Sequence, residues 1–257
     1  MKRSLLFLLL GLAVLPSRSF AYQPSFSKAG YFEAEESPRV VSSLNVGWDF
    51  ARGDGYKARV NLPHTLNVVG FEASGGVNYQ GPAVYEKRFD FSAQGERQFL
   101  HFEAVMGKSK IFLNGEQLGE RFGGFHPFEF EVTGKLKAQG NLLRVECDNS
   151  DDSTFPPGKP QEKMDFAYFG GIYRDVWLVE TGPIAITSPG PKGGVYLTTH
   201  RLDDGRWEVT ATVEASGEGS IKRFYEGREV PETFVVENPA EWTPDMPTST
   251  SCASSPL

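Results

Sequence analysis

Cysteine is almost missing from this chain: two residues in 257. That excludes a scaffold stapled by several disulfides. Histidine is nearly as sparse, and His64, His101, His126 and His200 stand singly, without zinc-ligand spacing, so no metal site is expected. Basic stripes are also lacking. A formal net charge of −7 excludes the electrostatic footprint of a nucleic-acid partner and disfavours an anionic membrane surface. No apolar run reaches the ~20 residues of a spanning helix. Helical periodicity is close to absent, and no helix follows Gly123-Gly124 or Gly170-Gly171, which removes the anion-cradle reading; no cofactor is expected. An apolar content of 39% with 13% aromatics is, in turn, too rich for a disordered chain.

The first segment reads as an address. Lys2-Arg3 forms a basic head, Leu5 to Leu15 an apolar run, and Ser19-Phe20-Ala21 a small-x-small cleavage site. A signal peptide over 1–21 is expected, followed by an extension over 22–36, with the product exported to the periplasm or the extracellular space. The alternative is a membrane anchor, for which the run is short. Removing Lys2, Arg3 and Arg18 with no acid makes the chain more acidic still.

What is abundant is period-two alternation punctuated by turn residues. Tyr85, Phe89 and Phe91 share one face of a strand; Phe99 to Phe102, Lys110 to Leu113, Phe128 to Val132, Leu143 to Glu146 and Asp175 to Val179 follow. Asn114-Gly115 supplies the positive-φ pair of a tight hairpin. Short strands without covering helices predict an all-β sandwich. Near Thr181-Gly182-Pro183 a second β pattern begins, with about five strands up to Pro247, fewer than the seven of an immunoglobulin-like sandwich. Residues 248–257 carry no pattern and read as an unstructured tail. Cys147 falls in an apolar-rich strand, where a buried free thiol is expected, and Cys252 in the Ser-rich end.

Several stretches occur in an order that resembles one family: Trp48-Asp49-Phe50, Asn61-Leu62-Pro63-His64-Thr65, Tyr79-Gln80-Gly81-Pro82, Asn114-Gly115, Gly123-Gly124-Phe125-His126-Pro127-Phe128, Asp148-Asn149 and Phe169-Gly170-Gly171-Ile172-Tyr173-Arg174-Asp175-Val176-Trp177. Together they resemble the N-terminal region of family 2 glycoside hydrolases of the β-galactosidase and β-glucuronidase type. The resemblance implies a jelly-roll (galactose-binding-like) β-sandwich over 37–182, then a truncated immunoglobulin-like β-sandwich over 183–247. It also implies that the catalytic barrel of the family lies outside this sequence.

Glycoside hydrolysis needs two flanking carboxyl groups, about 5 Å apart in a retaining enzyme. In the family both belong to the barrel, so no catalytic residue is assigned and the chain alone is expected to be inactive. The resemblance does imply two substrate-binding residues. Asp165, ahead of the Gly-Ile-aromatic-Arg motif, matches a carboxylate that reaches sugar hydroxyls; as a bare feature it is a loop acid. Asn78 matches an amide in the loop before the Tyr85 strand. The expected partner is a carbohydrate, a β-galactoside or β-glucuronide. Arg174-Asp175 reads instead as a structural ion pair, and the tryptophans as core. Three readings stay open: part of an exported glycosidase, a free-standing carbohydrate-binding module, and a structural sandwich.

Overall fold

The computed structural model describes residues 39–67, 78–154, 156, 158–164, 169–186, 194–239 and 243–245, with the backbone alone over 252–256. The leader, the extension over 22–36, Asp165 and Trp242 lie outside the described residues.

Strands dominate. In chain order they are β1 (Val40–Ser43), β2 (Trp48–Arg52), β3 (Lys57–Val60), β4 (Pro82–Phe89), β5 (Arg97–Phe102) and β6 (Gly107–Leu113). There follow β7 (Glu116–Gly123), β8 (Phe128–Glu131), β9 (Asn141–Asp148), β10 (Val176–Thr181) and β11 (Ala185–Ile186). The last are β12 (Gly194–Arg201), β13 (Trp207–Ser216), β14 (Ile221–Tyr225), β15 (Arg228–Val230), β16 (Thr233–Val236) and β17 (Cys252–Pro256). Among the described residues the only helical turn is a 3-10 turn over Gln161–Lys163, and no helix is long and apolar enough to cross a membrane.

Residues 40–181 build two antiparallel sheets, a six-stranded one in the order β3-β2-β4-β9-β6-β7 and a four-stranded one in the order β1-β10-β5-β8. Alternation dictates the layering. In β9 every second residue is buried, from Asn141 through Leu143 and Val145 to Cys147, while Arg144 and Glu146 face outward and pair with each other. Trp48, Phe50, Tyr85, Ile111, Leu113, Leu143 and Val145 meet Leu100, Phe102, Val176 and Leu178 in one core. Burying each such large apolar side chain stabilises by roughly 1.5–3 kcal/mol. Strand β10 is buried along its whole length, because Trp177 and Val179 pack on the opposite face with Val41 and Phe99. Cys147 is a free thiol in the core, and burial pushes it up to about 12.

The Asn114-Gly115 hairpin forms as its sequence requires, with φ of 53° and 89°. Asn114 also locks the hairpin to the next strand: Leu142 N donates to its Oδ1 at 3.0 Å, and its Nδ2 donates to Asn141 Oδ1 at 3.1 Å.

Gly170-Gly171 closes the sandwich. Three backbone bonds converge there: His64 N to Ile172 O at 2.8 Å, Leu66 N to Gly170 O at 2.9 Å and Met106 N to Gly171 O at 3.0 Å. A Cβ on Gly170 would lie 2.5 Å from the Asn149 side chain; one on Gly171, whose φ is +106°, would lie 2.6 Å from Tyr85 Oη. Only glycine allows this approach. Tyr85 Oη in turn meets His64 Nδ1 at 2.8 Å. Arg174 and Asp175, expected to pair with each other, do not. The chain bends at Arg174, ahead of β10, and the two side chains take different partners: Asp175 accepts from Asn45 Nδ2 at 3.0 Å while Arg174 lies over the Tyr173 ring.

The later residues form two further sheets, β11-β13-β12 with β16 against β13, and β15-β14-β17. Residues 252–256, expected to be part of an unstructured tail, run antiparallel to β14 instead. The reason is the partner: β14 pairs with β15 on one side only, and an open row of N–H and C=O groups accepts a strand whatever its side-chain pattern.

Replacing Gly171 by Ala is expected to destabilise the fold by roughly 2–4 kcal/mol. Urea denaturation should show this as a lower midpoint at unchanged slope; an unchanged midpoint would refute the close-packing role.

Candidate functional site

Strand β4 begins where β9 ends, Pro82 opposite Asp148. The loops leaving that end of the sheet therefore meet. Residues 78–81 enter β4, residues 149–154 leave β9, and the 3-10 turn at Gln161 follows. Their polar side chains tie them into one network. Asn67 Nδ2 donates to Asn78 Oδ1 at 3.0 Å, and Asn78 Nδ2 donates to Gln161 Oε1 at 2.9 Å. Tyr79 N donates to Asn67 Oδ1 at 2.9 Å. Asn149 grips the same loop from beneath, accepting from Gly81 N at 3.0 Å and donating to Tyr79 O at 2.9 Å. Asp151 Oδ1 accepts from Gln80 Nε2 at 2.6 Å and from Gln161 N at 3.1 Å. Beneath them Arg52 lies over the Tyr79 ring at 4.4 Å and donates to Leu66 O at 3.0 Å.

Asn78 is thus held in one orientation from both ends of its amide. A side chain fixed in this way presents hydrogen-bonding groups to a ligand without an ordering cost at binding. Gln161 shares the task, and among the described residues its buried Nε2 has no acceptor. An unmet donor of this kind costs about 1–3 kcal/mol. Met164 ends this stretch of described residues, and Asp165 follows it directly in sequence. The structure therefore brings Asn78 together with Asn67, Asn149, Asp151 and Gln161. Sequence reasoning singled out Asn78 and the Asp148-Asn149 pair; nothing in the pattern around Asn67, Asp151 or Gln161 marks them.

Buried carboxyl groups occur elsewhere. Glu103 is 0% and Asp175 2% exposed. Glu103 accepts from Trp177 Nε1 at 3.1 Å, and its N–H donates to Asp175 O at 3.0 Å. Burial pushes the Glu103 carboxyl above its ordinary value, helped by the Asp175 charge and opposed by the Trp177 hydrogen bond. With so little surface, neither group meets a substrate. Among the described residues no group of three or more His, Cys, Asp or Glu has the arrangement of a metal site.

Among the described residues, two antiparallel sheets packed face to face with a fixed polar loop cluster at one end define a β-sandwich domain of jelly-roll-like build. Comparison makes the class specific. Residues 39–182 match the family model described as the glycosyl hydrolases family 2 sugar binding domain. The chain belongs to that family. It is 29% identical over 247 residues to a β-galactosidase of Thermoanaerobacter pseudethanolicus, a match covering 81% of this chain and 32% of that protein. To a β-glucuronidase of Bacteroides fragilis it is 34% identical over 185 residues, covering 67% and 25% respectively. Among solved structures, an FMN-binding β-glucuronidase from Facaelibacterium prausnitzii shares the fold with a TM-score of 0.70 at 23% identity, over 86% of this chain and 37% of that one. A crystal structure described as that of a putative beta-galactosidase from Bacteroides fragilis aligns with a TM-score of 0.62 at 26% identity, over 86% and 35%. The chain therefore spans about a third or less of the curated relatives it matches.

Glu103 sets a pH dependence. Its folded pKa is raised above the ordinary 4.5, so its contribution to stability is full below that value and is lost as pH rises through the folded pKa. Urea midpoints of the native chain are expected to fall over that window relative to those of Glu103→Gln. Parallel midpoint-against-pH curves for the two proteins would contradict this.

Proposed function

We propose that this chain supplies carbohydrate recognition to an exported glycoside hydrolase acting on β-galactosides or β-glucuronides, and that the chain alone does not cleave them. The observation that carries the proposal is the network fixing the Asn78 amide at the loop end of a family 2 sugar-binding domain. An amide donates and accepts at once, which suits a sugar hydroxyl. Asp165, one residue beyond Met164, adds a carboxylate able to accept from adjacent hydroxyls through charge-assisted bonds.

The names of the relatives support the substrate class, since they are β-galactosidases and β-glucuronidases. Absence of cleavage rests on chemistry. Hydrolysis needs an acid/base and a nucleophile on either side of an accessible sugar; in the described part of the loop cluster Asp151 is committed to Gln80 and the Gln161 backbone, and Glu103 and Asp175, elsewhere in the fold, are closed to solvent. The basic-headed apolar segment at residues 2–15 supports export.

The test uses the purified chain with nitrophenyl galactoside, nitrophenyl glucuronide and the free sugars. No nitrophenol release is expected, together with weak binding seen as amide shifts at Asn78, Tyr79 and Gln161 in NMR spectra. Asn78→Ala should weaken that binding about fivefold, the loss of one hydrogen bond. Nitrophenol release by the chain, or shifts confined to residues outside these loops with both sugars, would overturn the proposal.

A further inference from the structure

The outward face of the six-stranded sheet holds a groove of about 540 Å³, within the range of small-molecule sites. Sheet register defines its walls. One cross-strand rank runs Pro82, Asp148, Lys108, Phe122 over β4, β9, β6 and β7; the next runs Val84, Glu146, Lys110, Glu120. All eight residues line the groove. The ranks are two residues apart, roughly 7 Å, and four strands wide, roughly 14 Å, so the trough is longer than it is broad.

Its chemistry alternates. Apolar surface closes both ends, Pro82 and Val84 at one and Phe122, 63% exposed, at the other. Between them stand two ammonium and three carboxylate groups. Lys110 meets Glu120 at 3.6 Å, and Lys108 pairs with Asp152, whose carboxyl is held down to about 2 by that contact and by Thr154. Donors and acceptors are thus interleaved over an elongated floor with hydrophobic ends, and the carboxylates outnumber the cations. An anionic ligand meets net repulsion here. A neutral polyhydroxylated chain does not: its hydroxyls can bond both to carboxylates and to ammonium groups, and its C–H faces can lie on Phe122 and Val84.

We propose that this groove is a second carbohydrate site, one that binds a neutral oligosaccharide along the β4-β9-β6-β7 face. It shares no residue with the Asn78 network. The loop between them carries Asp151, which faces Gln80 and Gln161, and Asp152, which faces Lys108. Neighbouring residues on one loop thus serve the two surfaces.

The experiment titrates the full chain with neutral gluco-, xylo- and galacto-oligosaccharides, and with an oligogalacturonate as the charged comparison, following backbone amide shifts by NMR. Saturable shifts at Lys108, Lys110, Phe122 and Glu146 are expected with at least one neutral series and not with the oligogalacturonate. Phe122→Ala and Lys110→Ala, both at exposed positions, should each weaken binding about tenfold while leaving the thermal midpoint unchanged. Absence of groove shifts with every neutral series, preference for the oligogalacturonate, or affinity indifferent to both substitutions would overturn the proposal. Because shifts at Asn78, Tyr79 and Gln161 report the other surface, failure here is distinguishable from failure of the loop site.

Discussion

The arrangement depends on one close approach. At Gly170-Gly171 the backbone passes so near Tyr85, Asn149 and Leu66 that a Cβ at either position would lie under 3 Å from a neighbouring side chain. Because it passes there, three carbonyls become acceptors for His64, Leu66 and Met106, and segments distant in sequence are joined by backbone bonds. Backbone bonds made in a dry environment are costly to leave unmet. The seam therefore closes the sandwich and also sets the height of the loops above it, since Asn149, pressed against Gly170, is the residue that holds the Gly81 and Tyr79 backbone.

Function follows from that placement. Asn78 sits in the loop that Asn149 holds, and its amide is oriented by Asn67 and Gln161. A sugar-binding surface profits from such rigidity because the cost of ordering is met on folding rather than on binding. Two of the buried carboxyl residues, Glu103 and Asp175, serve instead in the joint between β5 and β10. Under the proposed function, the Asn78 loops serve recognition rather than bond cleavage.

Much of this was legible in the sequence because the information is local. Period-two alternation marks β4, β9 and β10, and Asn114-Gly115 marks its hairpin because few residues tolerate positive φ. The ordered motifs, above all the run from Phe169 to Trp177, identify the sugar-binding domain. Three features were not legible, each for a reason of geometry. Arg174 and Asp175 look like a pair in sequence, but the chain bends at Arg174 and each side chain finds a different partner, the Tyr173 ring and Asn45. Strand β17 owes its existence to the open row of β14 rather than to its own serines. Asn67 and Gln161 bond Asn78 across 11 and 83 residues, and Asp151 joins the cluster through Gln80, 71 residues away, distances over which side-chain patterning carries no signal.

Hydrogen exchange on the native chain tests the central constraint most directly. The amides of His64, Leu66 and Met106 donate into the Gly170 to Ile172 seam, so they should exchange only through global or near-global opening, as slowly as amides in the middle of β4 and β9. Exchange of these three at the rate of the 150–154 loop would contradict the claim that the seam holds the fold and its polar loop cluster together.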